Sequence, residues 1–343
     1  FNGIFAFVVW EEERQQLFLA RDRMGVKPLF FSLAEDRLCF ASEIKTLLEF
    51  PGVSRRVDRE GLLEVMLLGP GRTPGRGIFC DVRELEGACC ACWSKTGWRT
   101  WKYWTPEDLE TVETIEDAAA HVRELVTDAV ERQLVSDVPV CTFLSGGLDS
   151  SIISAVADKE FYLRNKILHT FSVTYKDNAS YFTASKFQPN SDDDFIDVMA
   201  NSLHGEHHRI VLDSGDVAAA LYEAAEARDL PGMADVDSSL LLFCREVKKH
   251  ATVALSGECA DEIFGGYPWY RDPSIREREG FPWAQSTGYR ASFLRPEVLA
   301  GTDPFEYVDS RYRATVAETP VLPGRAGLER RMRELVWLNL RWF

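Results

Sequence analysis

Short alternating runs of apolar and polar residues fill the first hundred positions, and helical periods replace them after residue 114. Short apolar segments predict strands at 3–10, 16–20, 28–32 and 37–41, separated by polar turns. Residues 43–48 and 59–68 read as short helices, and the glycines and prolines of 69–77 demand a loop. The aromatic stretch 101–104 is expected to pack at a domain edge. A boundary falls within 106–114. Thr114 followed by Asp117 resembles a capping box, with Asp in place of the usual Glu or Gln. Ile115, Ala118, Val122, Leu125, Val126, Ala129 and Val130 share one face of the helix that follows.

From residue 138 strands and helices alternate. Strands are expected at 138–144, 168–175, 208–212 and 252–256, and helices at 149–157, 192–203, 216–227 and 239–249. That alternation implies an α/β domain with a parallel sheet covered on both faces. Ligands on such sheets sit at the carboxyl ends of the strands. Beyond Tyr270 the chain is polar, with Pro and Trp, and helical period returns only at 327–343, where no C-cap signal closes it.

Two strand ends carry glycine turns. Residues 143–151 read Phe-Leu-Ser-Gly-Gly-Leu-Asp-Ser-Ser, between an apolar strand and a helix start. Such a turn gathers backbone N–H groups around an anion, and the helix N-terminus adds positive potential. Gly146 and Gly147 allow close approach of the backbone, while Ser145 and Ser150 add hydroxyl donors. There is no lysine, so this is not a Gly-x4-Gly-Lys-Ser/Thr loop. Asp149 would repel a bare phosphate, which calls for a bound Mg²⁺. The second turn, at 256–262, reads Ser-Gly-Glu-Cys-Ala-Asp-Glu and is followed by Phe-Gly-Gly-Tyr at 264–267. A helix N-terminal acidic cluster would by itself explain Asp261 and Glu262. Two such turns on one sheet, one phosphate-like and one acidic, favour a Mg-nucleotide site.

Composition narrows the class. At 343 residues the chain is long enough for two domains, and 45% hydrophobic with 27% charged is ordinary for a globular protein. No apolar run approaches the roughly 20 residues of a membrane span. Residues 1–10 are strand-like, with no basic start, so a soluble cytoplasmic protein is the expectation. A net charge of −15 argues against a broad nucleic-acid surface. Cys89 and Cys92 have Cys-x-x-Cys spacing, but no second pair completes a zinc site, and small hydrophobes in a sheet are the simpler reading. His207 and His208 invite a metal reading, yet adjacent strand residues point to opposite faces, so one buried and one exposed ring is expected. The Asp192–Asp194 run lacks calcium-loop spacing and reads as a helix start. Lys248 and Lys249 suit a helix C-terminus.

Residues 145–151 resemble the pyrophosphate loop of the ATP pyrophosphatase superfamily. Together with 256–267, Ala-Arg-Asp-Leu-Pro at 227–231 and the segment 235–239, the chain resembles glutamine-hydrolysing asparagine synthetases. Asn-Gly-Ile-Phe-Ala-Phe at 2–7, Ala-Arg-Asp-Arg-Met-Gly-Val-Lys-Pro-Leu at 20–29 and Phe-Ala-Ser-Glu-Ile-Lys at 40–45 resemble the second half of a class II glutamine amidotransferase domain. The resemblance implies a truncated Ntn-type αββα glutaminase domain at 1–104, a linker at 105–114 and an ATP pyrophosphatase-like synthetase domain at 115–343. Phe1 stands where no nucleophilic cysteine precedes it, and the family's later catalytic lysine would lie past Phe343, so an internal piece of a longer enzyme is expected.

The implied reaction converts aspartate to asparagine. The β-carboxylate attacks the α-phosphorus of ATP, giving β-aspartyl-AMP and pyrophosphate, and ammonia from glutamine then displaces AMP. By that resemblance Ser145, Gly146, Gly147, Asp149 and Ser150 match the pyrophosphate loop, and Leu144 and Val173 line the adenosine. Ser256 and Gly257 contact the nucleotide, Asp149 and Asp261 meet Mg²⁺, and Glu258 serves the aspartyl-adenylate step. Cys141 and Cys259 stand where many relatives carry glycine. A β-lactam synthetase-like cyclase remains an alternative. A tRNA-modifying enzyme would want a basic face, and a non-catalytic module would not be expected to keep both turns intact. The expected partners are aspartate, ATP and glutamine or ammonia, with no nucleic acid and no membrane, and a homodimer is left open.

Overall fold

The structure, a computed structural model, describes residues 1–34, 37–183 and 191–343. Two units emerge, one of Phe1–Leu109 with Trp269–Phe343, the other Glu110–Pro268. In the first, the described strands are β1 (Ala6–Glu11), β2 (Gln16–Arg21), β3 (Phe30–Ala34), β4 (Arg37–Ala41), β5 (Arg83–Glu84), β6 (Cys89–Ser94) and β7 (Gly97–Lys102). They form two antiparallel sheets, ordered β1-β2-β6-β7 and β4-β3-β5. Leu19, Leu29, Phe31, Leu85, Cys89 and Ala91 make a core shared by both sheets. Each large side chain so buried contributes about 1.5–3 kcal/mol. Cys89 and Cys90 are buried strand residues whose thiols burial pushes up, in keeping with small hydrophobes in a sheet.

Arg21 and Asp22 explain the motif at 20–29. The Asp22 carboxylate accepts the backbone N–H groups of Phe5, Met24, Val26 and Lys27. Arg21 donates to the carbonyls of Lys27, Gly25 and Leu85 and pairs with Glu84 at 2.8 Å. A buried charge must be hydrogen-bonded in this way or its desolvation goes uncompensated.

The expected helix at 59–68 is an α-helix only over Arg59–Leu63, and a wider π turn, Glu64–Leu68, follows. Glu64 is fully buried. Its carboxylate accepts from Thr73, Tyr307 and Arg311. That cluster ties the Pro304–Ala317 helix to the helical segment 59–68 and to the Thr73 loop of the same unit. Helical structure therefore returns well before residue 327, contrary to expectation. The Pro304–Ala317 helix is capped by Asp303, which accepts from the Phe305 and Glu306 amides. Its buried face is Tyr307, Val308 and Tyr312, so it reads as polar although it packs inward.

The second unit holds the expected parallel sheet. Its strands are β8 (Val140–Phe143), β9 (His169–Tyr175), β10 (Glu206–Leu212) and β11 (Val253–Leu255), in the order β10-β9-β8-β11. The Leu148–Leu163 helix runs longer than expected, and the helix at 216–227 is two pieces, Ser214–Ala219 and Leu221–Arg228. The helix expected at 239–249 starts earlier, as Ala234–Val247. Thr114 caps the Ile115–Gln133 helix, accepting from the Asp117 amide. On that helix only Val130 of the expected apolar face is buried, while Ile115, Val122 and Leu125 are exposed. Its carboxyl end alone joins the core, where Leu134 packs with Val140, Ala157 and Leu168. Part of the loop before the Asp193–Ser202 helix, residues 184–190, lies outside the described residues.

In this sheet β9 and β10 succeed β8 on one side and β11 returns on the other. The strand order therefore reverses between β8 and β11, and the crevice outside the carboxyl ends of such neighbours is where parallel sheets place ligands.

Candidate functional site

β8 ends at Phe143 and β11 at Leu255, and the turn after each carries one of the two glycine motifs. Leu144 is buried, and its N–H donates to Phe171 O at 2.8 Å, which anchors the first turn on β9. The Ser150 hydroxyl accepts from Ser145 N at 3.1 Å, lies 2.9 Å from Ser145 Oγ and donates to Gly147 O. These bonds hold the loop in one shape before any ligand arrives. Gly146 has φ +79, and a Cβ there would lie 2.9 Å from Phe195 Cβ and 3.0 Å from Asp192 O. Glycine is thus required both for the backbone and for the approach of the Asp193–Ser202 helix. Gly147 is the N-cap of the Leu148–Leu163 helix and makes no side-chain cap bond. The N–H groups of that first turn have no intrahelical partner and carry the positive end of the helix dipole.

The second turn abuts the first. A Cβ on Gly257 would sit 3.0 Å from Ser150 N and 3.1 Å from Asp149 Cβ, so glycine lets the two loops touch. Ser256 Oγ accepts from Glu258 N at 3.2 Å. The N-cap of the next helix, Ala260–Phe264, is Cys259 in the left-handed region at φ +72. That backbone favours glycine, which explains why glycine suits this position. The Cys259 side chain makes no bond to the helix start. Tyr267 donates to the buried Glu262 at 2.6 Å, and burial and that carboxylate push the phenol well above its usual range.

A cavity of about 500 Å³ opens where the turns meet. Leu144, Ser145, Gly147, Asp149, Ser150, Val173, Ser256, Gly257, Glu258 and Asp261 all line it. Among the residues singled out from the sequence, Gly146 alone is not at the wall; it supports the loop from behind. The opposite wall comes from Tyr175 and from Val236, Ser239, Leu240 and Phe243 of the Ala234–Val247 helix. Tyr175 OH donates to Ser239 Oγ at 2.8 Å. Sequence reasoning assigned these residues no role; only the segment 235–239 carried a signal. That helix is oriented by an ion pair between Arg228 and the buried Asp237 at 2.6 Å, which links the two motif segments at 227–231 and 235–239.

Asp149, Asp192, Glu258 and Asp261 face the cavity, and no lysine or arginine stands among its described lining residues. A polyphosphate entering here would meet amides, hydroxyls and carboxylates but no basic side chain among the described lining residues, so it needs a divalent cation to neutralise it. Mg²⁺ fits that donor set, because it is ordinarily held by one or two carboxylates together with substrate phosphates. Neither nearby thiol is a nucleophile. Burial pushes Cys141 up to about 12, and burial with Glu262 and Glu258 raises Cys259.

His207 and His208 do point to opposite faces of β10, but both are half-buried rather than one buried and one exposed. His207 lies between Thr170 Oγ1 at 2.8 Å and Ser172 Oγ at 3.0 Å. His208 stacks on Phe171 across the other face.

Residues 121–343 match the asparagine synthase family and residues 1–104 match a glutamine amidotransferase domain. The chain belongs to the asparagine synthase family. It is 50% identical over 343 residues to asparagine synthetase [glutamine-hydrolyzing] 3 of Bacillus subtilis, covering 100% of this chain and 56% of that protein. It is 35% identical over 284 residues to asparagine synthetase [glutamine-hydrolyzing] 1 of the same organism, covering 82% and 42%. A putative asparagine synthetase [glutamine-hydrolyzing] of Mycobacterium tuberculosis is 32% identical over 290 residues, covering 82% and 42%. The chain thus spans about half the length of these relatives.

Proposed function

We propose that this chain carries the synthetase site of an ATP-dependent carbon–nitrogen ligase that converts aspartate to asparagine, with glutamine as the amide donor. The observation that carries the reading is the contact of the two glycine turns, Gly257 against Ser150, at the point where the strand order reverses. The family match and the relatives' names supply the substrate class.

In this reading Ser145, Gly146, Gly147, Asp149 and Ser150 cradle the pyrophosphate portion of ATP, with Leu144 and Val173 against the adenosine and Ser256 and Gly257 beside the phosphates. Asp149 and Asp261 would hold Mg²⁺. When bound, the ion neutralises phosphate charge and stabilises the leaving pyrophosphate. The aspartate β-carboxylate oxygen attacks the α-phosphorus, the bond to pyrophosphate breaks, and β-aspartyl-AMP results. Ammonia nitrogen then attacks the β-carbonyl carbon and AMP leaves with its electron pair. Glu258 accepts a proton from the attacking ammonia or holds the aspartate amino group. Most of the acceleration comes from placement and from fixed dipoles.

Residues 1–104 are the later half of a class II glutamine amidotransferase of Ntn type, and two antiparallel sheets with a shared core are compatible with that fold. A linker at 105–114 and a synthetase domain of ATP pyrophosphatase type at 115–343 complete the organisation. The compact units are cut differently, since Trp269–Phe343 clusters with the amino-terminal strands. No described helix is long and apolar enough to cross a membrane.

The test is product analysis. With Mg-ATP, aspartate and ammonia, AMP and pyrophosphate should form in step with asparagine. Chromatography showing ADP as the nucleotide product would overturn the reading.

A further inference from the structure

At the other end of the parallel sheet, His169 opens β9 and Glu206 opens β10, directly opposite each other in register. His208, two residues along, points to the same face as Glu206 and lies opposite Phe171. His169 Nδ1 is 2.9 Å from His208 Nε2, and the Glu206 carboxylate oxygens are 3.8 Å and 3.9 Å from those two nitrogens. Among the described residues, this is the one group of three such side chains whose ligand atoms all lie within 4.8 Å of one another. The ring of His250, just beyond the Ala234–Val247 helix, stands 4.8 Å from that of His208. The cluster opens to solvent through Glu206 and His169, while Phe171 backs the inner ring with a 4.7 Å stack.

We propose that His169, Glu206 and His208 form a binding site for one borderline divalent transition-metal ion of the zinc class, with the fourth position open to water beside His250. Imidazole nitrogen and carboxylate oxygen are the donors such ions take. Ligand atoms 2.0–2.1 Å from a tetrahedral zinc lie about 3.3 Å apart. The present separations bracket that spacing, so closure around an ion needs side-chain shifts of roughly half an ångström. Binding parts the two imidazoles. The ring that donates between them moves its proton to its other nitrogen, both lone pairs turn to the ion, and no net proton is released. Val173 of the nucleotide cavity lies four residues further along β9 from His169, about 13 Å, and Phe171, which backs the His208 ring, also lines that cavity. The site would clamp the edge strand β10 to β9, and it is independent of the synthetase reading.

The experiment titrates the purified, metal-free chain with Co²⁺, follows the visible ligand-field absorption, and displaces the ion with Zn²⁺. One equivalent should bind, without the thiolate charge-transfer band that cysteine ligation gives. Glu206→Gln and His169→Asn, both changes at solvent-open positions, should each weaken binding by at least about tenfold, as even loss of an outer-shell partner does. His121→Asn, on the distant Ile115–Gln133 helix, should not. Zn²⁺ should also raise the unfolding temperature of the parent chain but not of Glu206→Gln. No stoichiometric cobalt spectrum, a thiolate band, or affinity unchanged in both variants would overturn the site.

Discussion

Gly266 leaves the space that the Asp261 carboxylate occupies: a Cβ at Gly266 would overlap Asp261 Oδ1. The backbone at Gly266 is not in the left-handed region, so the requirement is for room rather than for torsional freedom. Gly266→Ala should therefore push Asp261 out of its place at the cavity wall. We expect aspartate-dependent pyrophosphate release to fall by on the order of tenfold to hundredfold, with the thermal transition little changed. Normal turnover in that variant would mean that Asp261 acts no part that its position matters to.

Glu258→Gln tests a carboxylate at the crevice. Nucleotide affinity should stay within about tenfold, roughly 1.4 kcal/mol. Asparagine formation should fall by about 10²–10⁴, the usual loss of a general acid–base group. Asp149→Ala should nearly abolish turnover, because it removes a carboxylate on the metal side. Calorimetry with Mg-ATP and rate measurement on the same preparations separate the two effects.

Glu64 is the hub of a buried polar cluster, and Arg311 Nε reaches it at 3.1 Å. Glu64→Ala removes the buried acceptor shared by Thr73, Tyr307 and Arg311, of which the last two keep Glu60. Breaking a buried pair from one side costs about 3–5 kcal/mol. Urea unfolding should show that loss for Glu64→Ala and a smaller one for the exposed-face change Glu306→Ala. Equal midpoints would mean that the cluster contributes nothing.

Burial, with Arg209 and His208 nearby, lowers the His207 imidazole below its usual 6.5. Unfolded, the ring protonates near 6.5, while folded it resists until lower pH. Between those values the unfolded state binds more protons, so stability falls as pH drops. The contribution is complete above about pH 6.5 and is lost as pH falls through the folded value. With chelator present, the urea midpoint should decline between pH 7.5 and 5.5, and His207→Asn should flatten the decline. An equal slope in the variant would place the pH dependence elsewhere.

Much was legible because it is local. Short apolar runs bounded by polar turns at 16–20 and 37–41 predicted β2 and β4, and the strand–helix alternation after residue 138 predicted a parallel sheet, because each signal is contiguous in sequence. The two glycine turns were readable for the same reason: a strand end, a glycine and a helix start are contiguous in sequence. The Pro304–Ala317 helix was missed although Asp303 and Pro304 mark its start, because its inward face uses tyrosines whose hydroxyls look polar.

What only the tertiary structure decided is which distant pieces meet. Residue spacing could not say that Gly257 would rest on Ser150, since strand order in a sheet is not encoded in the period of any one strand. Nor could it place Tyr175, Val236 and Leu240 on the facing wall, or bring His169 beside Glu206 and His208. Hydrophobic periodicity says which face of each element turns inward. Pairing and packing between elements far apart in the chain determine what that face, and each strand end, finds there.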